Sequence, residues 1–236
     1  NDMLNDNIID FHYGRLQQSH KECLFFSSQI YPIMMKDVFR CAERIVPTVN
    51  IFRCHYLFLP VCKNKHWTLY AIKCNEQQPV IVFCDSLGGQ PEQCIIQMVS
   101  TYLKKRAELH SIPNEQCRVP RVITPTLPQQ TNLVDCGLYL LLYTEKLLTT
   151  HHSHIAFSGD QVEQLWLSVC EQIECSLQEE HPDSLFQQVD TRSWMEKRVD
   201  KLSGSEEKYN FSFASWEEIY RCRAAQLNEN VRTSIY

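Results

Sequence analysis

Four residues, far apart along this chain, are of the types that acyl-transfer chemistry at a thiol requires. In PQQTNLVDCGLYLLLY, Pro128 to Tyr143, Cys136 stands at the entrance of an unbroken apolar segment and not inside it. The polar, turn-forming residues before it and GLYLLLYTEKLL after it predict a thiol at a helix N-terminus. Unpaired N–H groups and the positive end of the macrodipole favour a thiolate there. Gly137, with no Cβ, lets a substrate backbone approach and the turn tighten. A nucleophile of this kind needs a base, and the base needs an orienting group. His66 opens a strand after the polar turn KNK, and Asp85 ends the next one. If the two strands pair antiparallel, the start of the first and the end of the second are neighbours. The carboxylate then hydrogen-bonds one imidazole nitrogen and holds the other toward the thiol. Gln130, six residues before Cys136, is placed to aim its amide at the oxygen that becomes negative, alongside the Cys136 N–H. Gln129 is the alternative register. Each residue also has a purely structural reading: a buried thiol for Cys136, a satisfied or surface imidazole for His66, and a turn residue closing a strand for Asp85.

Helices and strands must bring these groups together. LNDNIIDFHYGRL predicts a first helix with Asn5 or Asp6 as N-cap and Ile8, Ile9, Phe11 and Leu16 at roughly helical spacing. Residues 27–46 read as two helical pieces, the second carrying Val38, Phe39, Ala42, Ile45 and Val46 until Pro47 stops it. IFRCHYLFLPV, HWTLYAIKC and PVIVFCD are aromatic and β-branched runs separated by KNK and NEQQ, which predicts a three-stranded antiparallel set. Helical periodicity returns from Glu92 to about Ala107, and CRVPRVIT is a further strand that Pro120 assigns to an edge. The apolar helix after Cys136 must be central and buried. VEQLWLSVCEQI, SWMEKRVDKL and FASWEEIYRCRAAQL read as later helices, and GSEEK as a loop. Helices flanking one sheet predict an α+β architecture. A single domain is expected over residues 1–236, with the motif-bearing part at about 1–150 and a helical part at 151–236.

Composition narrows the partners. A net charge of −5 without any basic concentration argues against nucleic acid and for a protein or peptide partner. Twelve cysteines scattered without a CxxC pair, with Cys54, Cys74 and Cys84 in apolar runs, read as reduced thiols. No apolar run approaches the roughly 20 residues that span a bilayer, and no signal pattern opens the chain. No membrane partner is expected; the protein reads as soluble, in the nucleus or cytoplasm. HHSH at His151 to His154, with His181, is adjacent and not spaced for one helical face, so a solvated loop is expected and no metal site. Cys170 and Cys175 fall on different faces of one helix, and QEEHPD, Gln178 to Asp183, reads as a solvated loop.

LND at Leu4 to Asp6, HW at His66 and Trp67, DSL at Asp85 to Leu87 and PQQTNLVDCG at Pro128 to Gly137, in that order, resemble the Ulp/SENP family of cysteine proteases. That family processes the ubiquitin-like modifier SUMO and releases it from conjugates. The resemblance implies a papain-like α+β fold in which Cys136 is nucleophile, His66 general base and acid, Asp85 its orienter and Gln130 the oxyanion donor. It also makes Trp67 a wall of a narrow tunnel for a diglycine tail, and it matches Asn5 and Asp6 to positions that contact the modifier. No metal or organic cofactor is required, and a monomer is expected. The chain departs from the family at Met3, where an aromatic residue is usual, and in FSSQIY, where Gln29 and Ile30 replace aromatics. These departures concern which modifier is read, so NEDD8 or ubiquitin are alternatives to SUMO. A catalytically idle binding module is the alternative in another class.

Overall fold

The computed structural model describes residues 3–76, 78–112, 119–150 and 155–180. The chain divides into two compact units, residues 3–165 and a second from 166 onward together with residues 1 and 2. The four quoted motifs all lie in the first. The expected helices at SWMEKRVDKL and FASWEEIYRCRAAQL, the GSEEK and QEEHPD loops, HHSH and His181 lie wholly or partly outside the described residues.

The first helix, α1 (Asp6–Ser19), starts because Asn5 caps it: the Asn5 side chain accepts from the N–H of Ile8 at 3.1 Å. Such a cap stabilises by about 1 kcal/mol. The buried stripe of α1 is Ile8, Ile9, His12 and Tyr13, so Phe11 and Leu16 are only half-buried. His12 and Tyr13 turn inward with His12 Nε2 meeting Glu145 at 3.0 Å and the Tyr13 hydroxyl meeting Thr144 at 3.0 Å. The two helical pieces expected over 27–46 are α2 (Ile30–Lys36) and α3 (Val38–Arg44). Asp37 separates them and caps the second by accepting from the Arg40 N–H.

The sheet has five strands in sequential order: β1 (Leu24–Phe25), β2 (Leu57–Lys63), β3 (His66–Lys73), β4 (Val80–Cys84) and β5 (Arg121–Ile123). The expected antiparallel set is its centre, whereas β1 pairs parallel with β2 and β5 parallel with β4, so the sheet is mixed. The first expected strand begins later than its apolar run, because Ile51–Arg53 winds into a single 3-10 turn capped by Asn50. Pro60 is tolerated within β2 because β1 is paired only as far as Phe58. β5 lies at the edge that Pro120 foretold.

Alternate residues face opposite sides of the sheet. Leu57, Leu59, Val61, Tyr70, Ile72, Ile81 and Phe83 form one core with Met34, Cys41 and Ala42 and with α4 (Gln93–Leu109). Along β3 packs α5 (Cys136–Thr149), whose buried residues include every position from Cys136 to Thr144. The apolar helix is therefore the central one, as its composition requires. Beyond it, α6 (Gly159–Glu180) is longer than its amphipathic stretch suggested. In α6 Cys170 is buried and Cys175 exposed, as expected of different faces.

Candidate active site

The β2–β3 connection has two residues, Asn64 and Lys65, both at positive φ (51° and 61°). Two left-handed residues in a two-residue loop match the right-handed twist of the strands. This turn sets Lys63 opposite His66 and begins β3 at the imidazole. Downstream, Leu69 pairs with Cys84, so Asp85, the first residue beyond β4, comes level with the start of β3. The result is direct contact: His66 Nε2 lies 2.6 Å from Asp85 Oδ1, with the carboxylate buried and the imidazole half-buried. With Nε2 engaged, Nδ1 is left for proton exchange.

The carboxylate is fixed by the chain that follows it. Asp85 Oδ1 accepts from the Leu87 N–H at 2.8 Å and Oδ2 from the Gly89 N–H at 3.0 Å. The Gly88 N–H donates to the Asp85 carbonyl at 3.2 Å, with Gly88 at φ 73°. A Cβ on Gly89 would stand 2.3 Å from Oδ2, so only glycine allows this carboxylate to sit where it does.

Cys136 is the first residue of α5 and only 1% exposed. Its burial pushes the thiol above its ordinary range, against the pull of the backbone N–H groups of Trp67, Gly137 and Cys136 itself, and the Asp135 carboxylate adds to the rise. The helix N-terminus thus acts in the expected direction, but desolvation outweighs it in the uncomplexed protein. The donor from Trp67 ties the sulfur to the residue that follows His66 in the chain. Gly137 admits Leu4 and not a substrate: a Cβ there would fall 2.7 Å from Leu4 Cβ. The Leu4 carbonyl also accepts from Trp67 Nε1 at 2.8 Å, so the LND segment clamps both the tryptophan and the helix start.

Gln130 is buried. Its backbone N–H donates to the Ser86 carbonyl at 3.0 Å, its Oε1 accepts from the Ser86 hydroxyl, and its Nε2 donates to the Asn132 carbonyl. One N–H of the side-chain amide is left for a ligand. Gln129, the alternative register, instead donates to the Asp85 and Leu127 carbonyls, both at 3.3 Å. Asn132 orders the approach to the thiol: its Oδ1 accepts from the N–H groups of Val134 and Asp135, and its Nδ2 donates to Asp135 Oδ2 at 2.6 Å. Tyr139 and Tyr143 hold the same loop through the carbonyls of Gln129 and Pro128.

A groove of about 380 Å³ is lined by Leu4, Asn5, Asp6, Ser28, Gln29 and Trp67, among others, and meets Cys136 only through Leu4 and Trp67, which touch the start of α5. Asn5 Nδ2 and Ser28 Oγ are buried polar atoms without a hydrogen-bond partner among the described residues. Gln29 Nε2 donates to Asp6 Oδ2 at 2.7 Å. No group of three metal-binding side chains occurs among the described residues.

The structure therefore brings His66 and Asp85 into contact, ties Cys136 to the start of β3, and joins Gln130 to the Asp85 turn through Ser86. Asn5, Asp6 and Trp67 gather at the neighbouring groove. Ser86, Gly89, Asn132 and Leu4 are supporting residues that the sequence reading did not single out individually. Three of them, Leu4, Ser86 and Asn132, lie inside the quoted LND, DSL and PQQTNLVDCG motifs, and that adjacency is the signal that points to them.

Comparison with known proteins follows the same lines. "Probable ubiquitin-like-specific protease 2A" of Arabidopsis thaliana is 28% identical over 175 residues, covering 60% of this chain and 22% of its own. "Sentrin-specific protease 5" of Homo sapiens is 27% identical over 146 residues, covering 61% and 19%. The chain spans about a fifth of the length of these curated relatives. Among solved structures, the C-terminal Ulp1 protease domain in complex with Smt3, the yeast ortholog of SUMO, superposes with a TM-score of 0.56 at 24% identity, covering 68% of this chain and 71% of that one. SUMO protease Ulp1 with its catalytic cysteine oxidised to a sulfenic acid gives 0.59 at 23%, covering 68% and 72%. These likenesses show the α+β, papain-like fold. The sequence model described as "Ulp1 protease family, C-terminal catalytic domain" matches residues 2–188, and the chain belongs to that family of cysteine proteases.

Proposed function

We propose that this chain hydrolyses the bond after the C-terminal glycine of a ubiquitin-like modifier, SUMO first among the candidates, in a precursor or in an isopeptide to lysine. The observation that carries the reading is the 2.6 Å contact of His66 with Asp85 at the strand start whose next N–H serves the Cys136 thiol. His66 Nδ1 takes the thiol proton as Cys136 Sγ attacks the glycine carbonyl. The tetrahedral oxyanion is met by the Cys136 N–H and the remaining Gln130 amide N–H. His66 then returns its proton to the leaving amine, and water, deprotonated by the same imidazole, hydrolyses the thioester. Asp85 takes no proton; it fixes the tautomer and stabilises the imidazolium.

The groove is the place for the modifier's tail, whose backbone amides would satisfy Asn5 Nδ2 and Ser28 Oγ. Seating the tail over the thiol also completes the site, because the raised thiol of the free protein must lose its proton to His66 during the reaction. The relatives' names point to SUMO-type modifiers. The departures at Met3, Gln29 and Ile30, with Gln29 hydrogen-bonded to Asp6 at the groove, leave a second reading in which NEDD8 or ubiquitin is the modifier. A panel of these modifiers, each with a C-terminal electrophile, decides between them: the cognate one should form an adduct that Cys136→Ala abolishes while binding is kept. Wild-type-like turnover by Cys136→Ala would overturn the mechanism. Binding without any adduct in the wild-type protein would favour the idle module.

A further inference from the structure

Away from the catalytic motifs, α2 and α3 enclose a slot of about 230 Å³. Ile33, Cys41 and Ile45 give it an apolar lining, and the exposed Lys36, Asp37, Arg40 and Arg44 surround it. The same short segment exposes Ile33 (43%), Met35 (50%) and Phe39 (56%), large apolar side chains that the core does not use. Phe39, one of the apolar residues read into the second helical piece, lies exposed on α3.

The charge here is opposite to that of the chain as a whole. Asp37, the one carboxylate at the slot, is engaged by the Arg40 N–H at 3.0 Å as the helix cap. Glu43, on the same helix, is turned to Lys105 at 3.5 Å. Among the described residues Lys36, Arg40 and Arg44 are in no ion pair. Behind α3 sits Arg106, fully buried, which donates to the carbonyls of Ala42, Val46 and Val49 and, among the described residues, to no carboxylate. Its charge reaches the Cys41 thiol at the slot. A positive potential therefore arises from both sides of a small apolar recess, in a protein of net charge −5. The recess is below the roughly 300–1,000 Å³ of a small-molecule site, and its size suits one or two side chains.

We propose that the α2–α3 face is a docking site for an acidic peptide segment that inserts an apolar side chain into this slot. A recess sized for one or two side chains, ringed by three cations in no ion pair among the described residues, favours a peptide that inserts a single side chain over a lipid surface. It also favours a foreign segment over a second copy of this net-acidic chain offering the same basic patch. The site lies outside the catalytic machinery, so its test is independent of the proposed hydrolysis.

The probe is a fluorescein-labelled peptide of glutamates around a central leucine, titrated with the whole chain and followed by anisotropy. Saturable binding is expected that weakens by about tenfold or more with rising salt and with Arg40→Glu plus Arg44→Glu, and on replacing the leucine by serine. Both arginines are exposed, and an unchanged thermal midpoint shows that the variant is folded. If the double variant does not keep that midpoint, Arg44→Gln with an unchanged midpoint takes its place, and a weaker loss of the same sign is expected. Absence of saturable binding, or binding indifferent to the arginine substitutions, overturns the proposal. So does tighter binding to phosphatidylserine vesicles than to the peptide, or a dimer by light scattering that the charge reversals dissolve.

Discussion

Gly89→Ala is a small change with a large expected effect, because the added methyl would stand 2.3 Å from Asp85 Oδ2. Ordinary carbon–oxygen contact is about 1 Å longer, and both neighbours are constrained. The Asp85 carboxylate is held by His66 on one oxygen and by the Gly89 N–H on the other. Relief therefore requires the carboxylate to move by about 1 Å, which lengthens the 2.6 Å contact with His66 beyond hydrogen-bonding range. A displacement of that size at a positioning group costs about 100-fold in rate. With an aminomethylcoumarin derivative of the cognate modifier, kcat should fall by about two orders of magnitude with KM little changed, since the modifier's groove is untouched. Gly14→Ala is the control: nothing lies within 4 Å of its Cβ on α1, so it should stabilise by up to about 1 kcal/mol and leave kcat alone. Wild-type kcat for Gly89→Ala would refute the role given to the Asp85 carboxylate.

Two further outcomes concern the scaffold. Arg106→Ala removes a buried guanidinium that serves three carbonyls, so it should destabilise by about 3–5 kcal/mol in denaturant unfolding, with Arg106→Lys recovering only part. The buried thiols Cys23 and Cys41 are each pushed up to about 11 by desolvation, and Cys74 and Cys84 are also raised. The folded state thus holds these protons after the unfolded chain, with thiols near 8.5, has lost them. Stability should be full below about pH 8 and fall as pH rises toward 11, read as a declining thermal midpoint. A midpoint flat across that range would contradict the burial of these thiols.

Much of this arrangement is written in local patterns. β2, β3 and β4 are legible because aromatic and β-branched runs alternate with polar turns, and α5 because its apolar run has no polar face. β1 was not legible: two residues carry no periodicity, and Leu24 and Phe25 become a strand only because the adjoining N–H groups of Leu24 and Phe26 find the carbonyls of Tyr56 and Phe58. The inward turn of His12 likewise depends on Glu145, far along the chain. At the site, residue types and motif order suffice to nominate Cys136, His66, Asp85 and Gln130. Their support is set by close approaches that no residue pattern states, such as Gly89 against Asp85 and Gly137 against Leu4. The thiol's protonation went against expectation for the same reason: the helix start is visible in the sequence, but the depth at which folding buries it is not.

The central claim is that one thiol among twelve is the nucleophile and that His66 activates it. The most direct measurement is peptide mapping by mass spectrometry after reaction with the cognate modifier carrying a C-terminal electrophile, for the wild-type chain and for His66→Ala. A single adduct on Cys136, formed at a rate that collapses in His66→Ala, is the predicted result. An adduct on another cysteine, or one on Cys136 at an undiminished rate without the imidazole, would contradict it.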